Sequence, residues 1–124
     1  MTTGEAGRED TWLTQPRAED VDVAAVLHAL ADPARLEIAH ILDERGEASC
    51  TSLGLPLSPS TVTHHLRTLR DAGVIATRAH GTARISRLRR DDLERRFPGL
   101  LPAILGASRP AGGRDAEPAD RQGP

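Results

Sequence analysis

Between Ser58 and Leu88 the apolar residues change from a helical repeat to an extended one, and the change falls at a single glycine, Gly73. Val62, His65, Leu66 and Leu69 stand at i, i+3, i+4 and i+7, which places them on one stripe of a helix. Ser58 is positioned to cap that helix with its side-chain oxygen. Pro59 fits the first helical position, where a missing N–H costs nothing. Gly73 supplies the stop after Asp71-Ala72. Val74 to Ala79 then reads as a strand, His80-Gly81-Thr82 as a tight turn, and Ala83 to Leu88 as the returning strand.

Helices are expected on both sides of this unit. Val23, Val26, Leu27 and Leu30 predict a first helix over residues 19–31. Asp32-Pro33 restarts the chain as N-cap and first helical residue. Leu36, Ile38, Ile41 and Leu42 line a second helix that ends near Arg45, before Gly46. A short third helix is expected over residues 48–53, ended by Gly54 and Pro56. After the hairpin, Asp91-Asp92 should cap a last helix carrying Leu93, Phe97, Leu100, Leu101, Ile104 and Leu105, which Pro98 and Pro102 should kink or break. The expected architecture is mainly α with a small β-hairpin, in the order α-α-α-α-β-β-α. Residues 1–18 and 106–124 hold too little apolar surface to offset their ordering entropy, and both read as disordered tails around a domain spanning residues 19–105. Trp12 and Leu13 are the two residues of the first tail that could dock as a short anchor.

Composition narrows the class. Aromatic residues are 2% of the chain, so the core must be aliphatic. Apolar runs of five residues or fewer exclude a membrane-spanning helix. Met1–Asp10 has no apolar stretch like that of a signal peptide, and the single cysteine, Cys50, cannot form an internal disulfide; a cytoplasmic location is expected. The formal net charge of −2 looks unsuited to nucleic acid until it is divided. Residues 1–59 hold 4 Arg against 11 acids, net −7; residues 60–96 hold 9 Arg against 4 acids, net +5; residues 97–124 hold 3 of each. The positive charge is concentrated in the helix after Ser58 and the hairpin.

Opposite its apolar stripe, that helix presents Ser60, Thr63, His64, Arg67 and Arg70. Short polar side chains let a helix approach base edges in the major groove of double-stranded DNA, and Arg can grip guanine or phosphate. Ser60, Thr61, Thr63, His64 and Arg67 are therefore the candidates for base and phosphate contacts, with Ser58 at the cap. Arg70, and Arg78 and Arg84 on the hairpin, are candidates for supplying charge, and His80 at the hairpin tip for a phosphate contact. Helix, turn, helix and an Arg-bearing hairpin together describe a winged helix-turn-helix.

Three stretches resemble the ArsR/SmtB family of bacterial winged-helix transcription regulators. Ala29-Leu30-Ala31-Asp32-Pro33-Ala34-Arg35 is similar to the family's helix junction. Leu57-Ser58-Pro59-Ser60-Thr61-Val62-Thr63-His64-His65-Leu66-Arg67 is similar to its recognition helix, and Asp71-Ala72-Gly73-Val74-Ile75 to the entry into its wing. The resemblance implies a homodimer through the first and last helices that binds a palindromic operator, more in the manner of a repressor than an activator. It also implies control by an effector, often a metal ion.

The familiar metal ligands are not matched. Cys50 is a lone cysteine in Gly46-Glu47-Ala48-Ser49-Cys50-Thr51, residues 93–105 contain no His, and the linker from Gly46 to Ser58 is about two residues shorter than is usual in the family. His28 and His40 remain as candidate ligands for Ni or Zn, with carboxylates such as Asp22, Glu37 or Glu44. Phosphate-cradling glycine loops, His-Glu-x-x-His and a nucleophile with its base are all lacking, so an enzyme is not expected. The alternatives to a metal-responsive regulator are a winged helix used for protein interaction, or a regulator controlled by a partner protein.

Overall fold

The computed structural model describes residues 11–108. Its elements are β1 (Thr11–Trp12), a 3-10 turn (Ala18–Asp20), α1 (Val23–Leu30), α2 (Pro33–Arg45), β2 (Glu47–Ser49), a second 3-10 turn (Cys50–Ser52), α3 (Pro59–Asp71), β3 (Ile75–His80), β4 (Ala83–Leu88), α4 (Arg90–Arg96) and α5 (Leu100–Ala107). The strands form one antiparallel sheet in the order β1-β3-β4-β2. Its inner face and the helices enclose an aliphatic core in which Val26, Ile38, Leu42, Leu69, Val74 and Ile75 are fully buried.

The helix ends follow the local chemistry. Asp32 accepts hydrogen bonds from the amides of Ala34 (2.9 Å) and Arg35 (3.1 Å), capping α2. The Arg35 amide holds the Asp32 carboxyl below the ordinary aspartate value; burial opposes this, and the Arg35 charge adds to it. Asp32→Ala is expected to cost about 1 kcal/mol, read by urea denaturation at pH 7. The stabilisation from ionised Asp32 is present above its unfolded pKa and is lost as pH falls through the lower folded one. The gap between wild type and variant should therefore close in acid.

At the other end of α3 the Gly73 amide donates to the Arg70 carbonyl and the Val74 amide to that of Leu69, both at 3.0 Å. These are the paired bonds of a left-handed helix stop, and Gly73 has φ +87°. Val74 and Leu69 are both fully buried, completing the apolar contact of that motif.

Three expectations change, and the expected break in the last helix is met. The third helix is absent: Glu47, Ala48 and Ser49 pair instead with Arg87, Ser86 and Ile85, followed by a single 3-10 turn. A six-residue segment rich in Ser and Thr cannot repay helix nucleation, whereas the open edge of β4 offers ready-made partners. The first helix begins later, at Val23, because Asp22 caps it and Val21 is extended into the core. The last helix is broken at Pro98 as expected, ending at Arg96 and resuming at Leu100 after Gly99 at φ +82°, while Pro102 is accommodated in the first turn of α5. Arg89 stands at the N-cap position of α4 and makes no side-chain cap hydrogen bond, while the expected caps Asp91 and Asp92 fall within the first turn. Asp92 receives Arg89 and Arg95 instead, and these hydrogen bonds outweigh the effect of burial and lower its pKa.

The domain also begins earlier than residue 19. Thr11 and Trp12 pair with Ala79 and Arg78 along the free edge of β3, and the Leu13 amide donates to Thr77 (2.9 Å). Guanidinium groups of Arg89 and Arg96 then hold the carbonyls of Pro16 and Ala18. Backbone pairing and arginine contacts thus supply what this segment lacks in apolar surface. The remaining parts of the two expected tails, residues 1–10 and 109–124, lie outside the described residues.

Candidate nucleic-acid interface

α3 buries Val62, Leu66 and Leu69 and turns Ser60, Thr63, His64 and Arg67 outward, all four exposed. Ser58 caps the helix: its Oγ accepts from the Thr61 amide (3.3 Å) and lies 2.8 Å from the Thr61 hydroxyl and 3.3 Å from that of Ser60. Thr61 is half-buried, so its hydroxyl belongs to the cap more than to the outer face. Arg67 is 3.8 Å from Asp71, a loose pair between two exposed side chains, and such pairs contribute little and leave the guanidinium available.

Beside this face lies a small cleft of about 130 Å³ between α3 and the hairpin, lined by Thr63, Leu66, Arg70, Thr77, Arg84 and Cys50 among others. The hairpin register explains the grouping. Thr77 opposes Ser86 and Ala79 opposes Arg84, so these residues share the sheet face turned towards α3. Thr77 and Ser86 are buried there and joined by a 2.8 Å hydroxyl contact. Arg70 and Arg84 therefore stand on facing walls of a cleft that opens beside the exposed polar face of α3. His80 is exposed at the end of β3.

Arg78 is not part of this group. It lies on the opposite sheet face, where its guanidinium meets Glu47 at 2.6 Å and its side chain is only 18% exposed. Trp12 covers this outer face: the guanidinium of Arg87 lies 4.8 Å from the ring centroid and that of Arg78 5.9 Å. Arg87, the third arginine that the sequence places on the hairpin, thus shares the outer face with Arg78, as the hairpin register requires.

The candidate metal ligands do not converge. His28 is exposed on α1. His40 is buried on α2, with Nε2 3.0 Å from the Ser108 carbonyl oxygen and 3.1 Å from its hydroxyl, a contact that anchors the end of α5. Among the described residues no three His, Cys, Asp or Glu side chains are grouped to hold an ion. Cys50 is half-buried at the cleft. No described helix is long and apolar enough to cross a membrane.

A capped helix with a polar outer face, an arginine-lined cleft and a hairpin beside it define a winged helix-turn-helix DNA-binding domain. Residues 30–78 match the family profile described as a helix-turn-helix domain. The chain is 32% identical over 97 residues to the uncharacterized HTH-type transcriptional regulator YceK of Bacillus subtilis, which covers 76% of this chain and 97% of that protein. It is 38% identical over 63 residues to the cadmium resistance transcriptional regulatory protein CadC homolog of Staphylococcus aureus, covering 49% of this chain and 52% of the other. Its fold matches the solution structure of a homodimeric winged helix-turn-helix DNA-binding domain from Mycobacterium bovis, a possible ArsR-family regulator. The TM-score is 0.56 and the identity 27%, covering 71% of this chain and 82% of that one. The protein belongs to the ArsR/SmtB family of transcription regulators and is not an enzyme.

Proposed function

We propose that the chain acts as a homodimer that binds a palindromic operator and represses transcription, with α3 reading the major groove and the hairpin flanking it. The observation that carries this is the exposed face of Ser60, Thr63, His64 and Arg67 directly beside the Arg70–Arg84 cleft. Small polar groups for base edges lie next to cations for phosphate, on the one segment of the chain with a positive balance. Support for the dimer comes from α1, where Val23 and Leu27 are 39% and 46% exposed, and from the homodimeric relative in Mycobacterium bovis.

The reading is tested by two measurements. Sedimentation should give a dimer, and Leu27→Glu should shift it to monomer. Selection from a pool of random duplexes should enrich a palindrome whose half-sites lie about one DNA turn apart, ~34–36 Å. A monomeric wild-type chain, or a pool that stays random, would defeat the proposal. The same selected duplex, measured with and without Zn or Ni in wild type, His28→Ala and His40→Ala, tests a metal response. An effect of the ion that either variant abolishes would require ligands beyond the described residues of a single chain, which group no three such side chains.

A further inference from the structure

We infer that Arg35 is a positioning residue for the recognition helix, acting through a neutral His65; this rests on the DNA-reading role proposed for α3. The apolar contacts of Val62, Leu66 and Leu69 hold α3 against the core but are non-directional, and they do not by themselves fix its rotation. The directional contact comes from the neighbouring helices. The Arg35 side chain donates from Nε to the Ala29 carbonyl in the last turn of α1 (2.7 Å) and from a terminal nitrogen to His65 Nδ1 on α3 (3.2 Å). One guanidinium, fixed at the first turn of α2, thus ties together the end of α1, the start of α2 and the middle of α3. The Asp32 carboxylate, which accepts the Arg35 amide, places a compensating negative charge beside it.

The chemistry of the bond fixes the state of the histidine. A guanidinium has donors only, so Nδ1 must accept, and the His65 proton lies on Nε2. His65 is half-buried and next in sequence to the outward-facing His64, with the two rings 5.8 Å apart. A rotation of α3 that released Arg35 would turn His64, Thr63 and Arg67 away from their present direction. The bond also links α1, which carries the exposed Val23 and Leu27, to the helix that faces DNA.

The test combines a spectrum with binding. Long-range ¹⁵N–¹H correlation on the full chain should show His65 with Nδ1 unprotonated and Nε2 protonated, and Arg35→Ala should release a mixture of tautomers. His65→Leu should lower affinity for the duplex selected by the wild-type chain about tenfold while lowering affinity for random duplex less than about threefold, as expected for removal of one charge-assisted bond. His65→Asn, whose Oδ1 can stand where Nδ1 stood, should restore affinity to within about twofold. A proton on Nδ1 in the wild type overturns the inference. So does a His65→Leu chain with unchanged selectivity, or a His65→Asn chain as weak as His65→Leu. If the wild-type chain selects no duplex, the DNA reading and the positioning role fall together, and the tautomer spectrum alone then decides whether the Arg35–His65 bond exists.

Discussion

Gly73→Ala is expected to lower stability by about 2–5 kcal/mol, the sum of a left-handed backbone imposed on an L-residue (~1–2) and an overpacked core (~1–3). Both contributions are visible at this residue. Its φ is +87°, and a Cβ built there would meet Val21 Cγ2 at 2.5 Å and Cγ1 at 3.1 Å. Val21 is itself 2% exposed and has little room to withdraw. A domain of this size has about 5–15 kcal/mol in total, so the variant should melt on the order of 10 °C or more below wild type. Val21→Ala separates the two contributions. It removes both γ carbons that the new methyl would strike, so the double variant should lose less than the sum of the singles, while the cost of the backbone conformation remains. A Gly73→Ala chain within about 0.5 kcal/mol of wild type would show that the corner between α3 and β3 is adaptable. The consequence reaches function, because this corner fixes how the recognition helix and the hairpin are set against one another.

That corner is legible in the sequence because its determinants are local. Ser58, Pro59 and Gly73 mark the ends of α3, Asp32 and Pro33 start α2, and the hairpin turn lies within three residues. The segment at residues 47–52 is not legible. Its conformation is set by β4, far along the chain, whose free edge recruits Glu47 to Ser49 into the sheet. β1 escapes for a related reason: a two-residue strand has no period to detect, and it exists because the edge of β3 is open. The site residues divide in the same way. Helical spacing alone puts Ser60, Thr63, His64 and Arg67 on one face. Assigning Arg78 and Arg84 to opposite faces of the hairpin needs its register, and knowing which face meets α3 needs the buried Thr77–Ser86 pair. Arg35 and His65 can each be noted singly in the sequence, one in a helix junction and one in an apolar stripe. Only the packing of α2 against α3 joins them.

The division of the arginines predicts a division of phenotypes on DNA. Thr63→Ala and His64→Ala remove groups from the exposed face of α3, where base edges would be read. Each should cost about 1–3 kcal/mol on the selected duplex, roughly 5- to 150-fold, with little change on random duplex. Arg70→Ala and Arg84→Ala remove cations from the cleft walls. They should weaken both duplexes alike and reduce the slope of log affinity against log salt by about 1 each, because a phosphate that no arginine neutralises keeps its counterion. Arg78→Ala provides the contrast. Its guanidinium is held by Glu47 and covered by Trp12 on the far face of the sheet, so its removal should lower the melting temperature and leave the salt slope unchanged. A salt slope that falls for Arg78→Ala as it does for Arg84→Ala would place phosphate on the Trp12 face of the wing. Equal weakening on selected and random duplex for His64→Ala would show that α3 holds the DNA backbone without reading its bases.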